Sequence, residues 1–216
     1  MNLKFVHPST ILVSGPTGCG KTRFVSKMIL KNMFDRMPRR IIWVYSEWQS
    51  LYDEVKLLRS EIEFQHGLSD QLYDSLDANI RNLVILDDQL SHAGDSKMLS
   101  RLFTEGSHHR NLSIIYIVQN LFDKGKSHRT VSLNAQYIVL FKNPRDKSQI
   151  VTLGRQMFPR DVAFLSDSFE DATTEPYGYL LIDLRPETPE EFRLRTSIFQ
   201  GEESIAYIPV SRHKNG

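Results

Sequence analysis

Cysteine is almost missing from this chain: Cys19 is the single thiol in 216 residues, which excludes an internal disulfide framework and any zinc site built on cysteine. Long hydrophobic runs are missing as well. No stretch approaches the ~20 consecutive apolar residues that a membrane span needs, so no membrane partner is expected. Charge of one sign is not in excess, with 27 Lys+Arg against 26 Asp+Glu. Bulk charge therefore gives no attraction to nucleic acid, and a partner of that kind has to meet a local basic patch. Residues 1–9 hold one lysine and no apolar core, so no secretory signal is expected and an intracellular location is. Repeats, low-complexity tracts and linker-like segments are absent. What is present, 40% hydrophobic and 25% charged residues, describes an ordinary globular protein. A single domain over residues 1–211 with a frayed tail at 212–216 is the expected organisation.

Short, nearly continuous apolar runs alternate with segments of helical period. Strands are expected at 11–14, 41–45, 83–86, 114–118 and 137–141. Helices are expected after the first three of these, carrying Phe24, Val25, Met28 and Ile29, then Leu51, Val55 and Leu58, then Met98, Leu99, Leu102 and Phe103. Strands without polar alternation, separated by helices, predict an α/β fold: a mostly parallel central sheet covered on both faces. Two late runs, 179–184 and 194–198, joined through the turn-rich residues 185–189, predict a C-terminal hairpin at the sheet edge.

The first strand runs directly into Gly15, Pro16, Thr17, Gly18, Cys19, Gly20, Lys21 and Thr22, and the helix starts there. This satisfies G-x-x-x-x-G-K-[ST] in the strand-to-helix context that the motif requires. Glycines let backbone N–H groups turn toward nucleotide phosphates, the helix N-terminus adds positive partial charge, Lys21 reaches the terminal phosphates and Thr22 offers a hydroxyl to Mg²⁺. The run 83–86 ends in Asp87 and Asp88, a Walker B pattern at the carboxyl end of a buried strand. Asp87 suits the Mg²⁺ shell, and Asp88 is placed to take a proton from attacking water, with an acidic turn as the plainer alternative. If the 114–118 strand lies between the two motif strands, Gln119 at its end points at the terminal phosphate; otherwise it caps a loop. The stretch from Lys124 through Lys126 to Arg129 reads as a basic loop able to touch a phosphate backbone, or as a solvated turn. Arg110, Arg129 and Arg145 are candidates for an arginine finger on a neighbouring subunit's nucleotide. His108 and His109 read as a helix end and not as metal ligands.

Taken together, several blocks resemble one family. They are the phosphate-loop motif, Leu86-Asp87-Asp88, Ser107-His108-His109-Arg110-Asn111, Gln119-Asn120-Leu121-Phe122, Ser132-Leu133-Asn134 and Phe141-Lys142-Asn143-Pro144-Arg145-Asp146. These are similar to the DNA-packaging ATPases of Maverick/Polinton elements and adintovirus-like viruses, within the FtsK-HerA group of P-loop ATPases. The resemblance spans roughly residues 9–198. It implies a RecA-like P-loop NTPase fold and a homo-oligomeric ring that hydrolyses ATP with Mg²⁺ and drives double-stranded DNA, irrespective of sequence, into a capsid. A capsid vertex protein is the implied partner, and a host nucleus or viral assembly site the implied location. It also implies that Gln119 contacts the terminal phosphate and that Arg145 or Arg110 completes the site of the adjacent subunit. In this group an Asp-Glu pair is frequent at Walker B, so Asp88 departs from the common pattern. An ATPase for plasmid or transposon DNA transfer, a nucleotide-gated scaffold with little turnover and a small-molecule kinase are the competing readings.

Overall fold

The computed structural model describes residues 3–87, 97–122 and 126–209. Nine strands form one sheet in the order β3-β2-β4-β5-β1-β6-β7-β8-β9. They are β1 Thr10–Ser14, β2 Arg40–Tyr45, β3 Glu63–His66, β4 Asn82–Leu86, β5 Leu112–Val118, β6 Tyr137–Phe141, β7 Tyr179–Asp183, β8 Leu194–Thr196 and β9 Ile205–Tyr207. The first six pair in parallel, and β7 to β9 continue the sheet antiparallel. The parallel strands β1, β4, β5 and β6 are buried throughout, which explains their nearly continuous apolar sequences.

Alternation along each strand divides the core in two. Ile11, Val13, Trp43, Ile85, Ile117 and Val139 face α1 (Lys21–Leu30) and α2 (Ser50–Leu58). Leu12, Val44, Val84, Tyr116 and Ile138 face the opposite layer, where α3 (Lys97–His109) contributes Leu99, Leu102 and Phe103. That layer is completed by α4 (Lys126–Asn134), α5 (Ser148–Met157) and α6 (Val162–Ala172), which bury Val131, Ile150, Leu153, Leu165 and Phe169.

Four expectations need correction. The hairpin of β7 and β8 exists, but β9 pairs outside it and forms the edge. Its second strand stops at Thr196, not at 198, because Ser197 takes a positive φ of 53° that ends the extended backbone. On α2 the buried residues are Tyr52 and Val55, while Leu58 is exposed. The basic stretch is not a loop over its whole length: residues 126–129 are the first turn of α4, anchored to the core by Val131. Lys124 and the 212–216 tail lie outside the described residues. Among the described residues no helix is long and apolar enough to cross a membrane.

Candidate active site

Residues 15–20 form the turn between β1 and α1, and local chemistry fixes its shape. A Cβ on Gly15 would stand 2.7 Å from both the Cys19 Sγ and the Phe141 Cβ, so only glycine lets the loop leave the sheet there. Gly20 caps α1 with φ 103°, a left-handed conformation that glycine adopts without strain. No side chain caps this helix and no acidic residue lies in its first turn. Its leading N–H groups thus keep their affinity for an anion.

Lys21 is 6% exposed and Asp87 4% exposed, yet both line a cavity of about 710 Å³ together with Thr17, Gly18, Gly20 and Thr22. The Lys21 Nζ donates to the carbonyls of Gly15 and Pro16 at 2.6 and 3.0 Å, folding back on its own loop. Asp87, just beyond β4, accepts a hydrogen bond of 2.6 Å from the Tyr52 hydroxyl. Burial, with the adjacent Asp87 adding to it, raises the Tyr52 phenol above its ordinary range, so it stays a donor. The Thr22 hydroxyl and the Asp87 carboxylate are hard oxygen donors lining the same cavity, a set suited to Mg²⁺, which keeps waters and few protein ligands.

Part of the cavity wall is aromatic: Phe24, Phe141, Tyr177, Tyr179 and Phe199. Tyr177 holds φ 64°, an uncommon conformation for a bulky residue, with its ring against Gly20. Lys27 lies 4.2 Å over the Phe199 ring and pairs with Glu202. Tyr52, Tyr177 and Phe199 carry no motif, and sequence reasoning missed them; only their later position around the phosphate loop reveals them.

Strand order meets the condition set for Gln119, because β5 lies between β1 and β4. The side chain does not line the large cavity. Gln119 instead shares a small cavity with Gly15, Asn143, Asp146 and Gln149, on the α5 side of the phosphate loop. The three arginine candidates differ in their surroundings. Arg110 lies 5.0 Å over the Tyr73 ring, donates to the Leu76 carbonyl at 3.3 Å and approaches Asp74 at 3.6 Å, which ties it to its own chain. Arg145 is exposed in the segment after β6, and its side chain has no partner among the described residues. Arg129 is exposed on α4, whereas the side chain of Lys126 and the whole of Asp88 lie outside the described residues. α3 runs through His109, so the histidine pair does end a helix.

Neither a family model nor a curated protein matches the chain by sequence. Solved structures do match by shape. The genome packaging NTPase B204 from Sulfolobus turreted icosahedral virus 2, in complex with sulfate, superposes with a TM-score of 0.58 at 13% identity, covering 95% of this chain and 98% of that one. B204, the DNA-packaging ATPase from Sulfolobus turreted icosahedral virus, gives 0.58 at 11% identity, covering 94% and 99%. The ATP-gammaS complex of the first gives 0.56 at 13% identity, covering 88% and 96%. The fold is thus that of the P-loop NTPases: a mostly parallel sheet with helices on both faces.

Proposed function

We propose that the protein is an ATP-hydrolysing motor that translocates double-stranded DNA during viral or transposon genome packaging. One observation carries the reading: Lys21, Thr22 and Asp87 converge on one cavity at the carboxyl ends of β1 and β4, with β5 and its Gln119 between those strands. ATP enters with its phosphates on the N-terminus of α1, and Lys21 exchanges the carbonyls of Gly15 and Pro16 for phosphate oxygens. The aromatic wall accommodates the nucleoside end. Thr22 and Asp87 hold Mg²⁺, which supplies charge neutralisation, and the Tyr52 hydroxyl fixes the orientation of Asp87. Asp88 takes the proton of the attacking water, Gln119 senses the terminal phosphate, and Arg145 reaches the nucleotide of the adjacent subunit in a ring. Arg145 is preferred to Arg110 because Arg110 is already engaged within its own chain.

The DNA contacts are assigned to Lys124, Lys126 and Arg129. Residues 126–129 form the first turn of α4, and the positive end of that helix dipole favours backbone phosphates over bases. B204, a genome packaging NTPase in one virus and a DNA-packaging ATPase in the other, supports the same task by its likeness in fold, and a capsid vertex protein is the corresponding partner. The test is ATP turnover with and without duplex DNA, alongside mass in solution with nucleotide bound. Stimulation by DNA of any sequence, in an oligomer, is expected. Turnover without stimulation would leave an ATPase without a DNA task, and binding without turnover would leave a scaffold.

A further inference from the structure

Gln149, in the first turn of α5, is 9% exposed and uses both ends of its amide. Its Oε1 accepts the Leu121 N–H at 2.9 Å, and its Nε2 donates to the Asp146 Oδ2 at 2.8 Å. The other oxygen of Asp146 accepts the N–H of Ser148 at 3.0 Å and its hydroxyl. The same turn is closed by Asn143, whose Oδ1 accepts the Arg145 N–H at 3.1 Å. On the opposite side, the Gly15 N–H donates to the Val118 carbonyl at 3.2 Å, one residue before Gln119. A single buried side chain therefore joins the segment that follows β5 to the segment that presents Arg145. Gln119, Gly15, Asn143, Asp146 and Gln149 all border one small cavity.

An apolar residue would fill this volume without the cost of burying an amide, so the position makes sense through its two bonds. We infer that Gln149 is a positioning residue that couples the phosphate state at Gln119 to the presentation of Arg145 to the neighbouring subunit. The inference rests on the roles proposed above for Gln119 and Arg145. A shift of residues 119–121 toward or away from a terminal phosphate moves the Leu121 N–H, and the amide passes that movement to Asp146 and its turn. Because the bond to Asp146 is charge-assisted, the link is stiff.

The test is amide hydrogen exchange on the full chain, with and without a non-hydrolysable ATP analogue and Mg²⁺, together with steady-state turnover. In the wild type, nucleotide is expected to protect residues 15–22 and to change exchange at 142–148. Gln149→Glu keeps an acceptor for Leu121 but sets a second carboxylate against Asp146. Protection at 15–22 is expected to persist, the response at 142–148 to vanish, and kcat to fall about tenfold with KM unchanged, the size of a typical coupling between sites. Adding Asp146→Asn gives the new carboxylate an amide donor, reversing the polarity of the bond, and is expected to restore both response and kcat. A Gln149→Glu variant that responds like the wild type, or a double variant that recovers neither, overturns the coupling even though nucleotide still protects 15–22. Absence of wild-type protection at 15–22 overturns the nucleotide site itself, and the coupling with it.

Discussion

The two ends of the central sheet are built from the same kinds of side chain and differ in the space left beside them. At the carboxyl end of the parallel strands, Lys21 and Asp87 are buried as residues yet open onto a cavity of about 710 Å³. At the other end, His7 pairs through Nδ1 with the Ser113 Oγ at 2.6 Å and through Nε2 with the Asn111 Oδ1 at 3.1 Å. Serine, histidine and an amide in a row have the composition of a nucleophilic triad. Ser113 is 0% and His7 1% exposed, however, so no substrate reaches them. Nearby, Asp183 is 0% exposed and accepts two bonds from the Arg185 guanidinium, at 3.0 and 2.8 Å, one from the Arg185 N–H at 3.2 Å and one from Arg195 at 3.3 Å. Constellation alone does not make a site; in an open α/β sheet the position relative to strand direction, and the space left beside it, decide.

That contrast predicts a double dissociation: changes at the carboxyl end cost activity, and changes at the other end cost stability. Arg145→Ala is expected to show the largest effect, a loss of ~10³ to 10⁵ in turnover, with an unchanged melting temperature because the side chain is exposed. Mixing these subunits with Lys21→Ala subunits is expected to restore part of the turnover, since a mixed interface pairs an intact phosphate loop with an intact arginine. Recovery with Arg110→Ala in place of Arg145→Ala would move the finger to Arg110. Next comes Asp183→Asn, which leaves two largely buried guanidinium groups without their carboxylate and is expected to cost about 3 to 5 kcal/mol of stability. Denaturant melts measure the loss, while turnover per folded molecule is expected to hold; a fall in turnover would erase the distinction between the ends. Lys21→Ala is expected to weaken nucleotide binding by about 10- to 100-fold, the worth of a hydrogen bond to a charged group. Unchanged affinity in a calorimetric titration would remove the phosphate-loop reading. Tyr52→Phe deprives Asp87 of its donor and is expected to weaken Mg²⁺-dependent nucleotide binding by roughly tenfold, leaving Mg²⁺-free binding alone.

The carboxyl end was largely legible in the sequence, because its candidate residues lie in contiguous motifs that follow strands with nearly continuous apolar runs. β1, β2, β4, β5 and β6 fall within a residue or two of their expected bounds. β3 was not legible: Glu63–His66 is a polar strand at the sheet margin, where charge rather than apolar alternation suits an exposed edge. α4 buries Val131 and leaves Leu133 exposed, so its helical period is too faint to separate it from a basic loop. α6 carries a readable stripe, Leu165, Phe169 and Ala172, that a reading led by strands leaves unassigned. Tyr52 and Gln149 escaped for another reason. Their roles lie in what they touch across 35 and 28 residues of chain, and no local pattern encodes such a contact.

The smallest expected effect concerns pH, and it bears on the end of the sheet with no proposed chemistry. The proton affinity of His7 lies below its ordinary value of 6.5, chiefly because burial disfavours the imidazolium. Arg36 and Arg81 act in the same direction, while the hydrogen bond to Asn111 and the charge of Asp35 oppose it. The unfolded chain therefore takes up this proton before the folded one does, and stability falls as pH drops below about 6.5 until the lowered native value is passed. Above that window the contribution of His7 to stability is fully present. His7→Gln keeps hydrogen-bonding capacity toward Ser113 or Asn111 but cannot titrate, so the slope of stability between pH 7 and pH 5 is expected to flatten. Turnover per folded molecule at pH 7 is expected to match the wild type. An unchanged slope would show that His7 does not set the acid sensitivity. A fall in turnover without a change in stability would mean that the closed end communicates with the nucleotide end, most directly along β1, which begins two residues after Pro8 and runs into the phosphate loop.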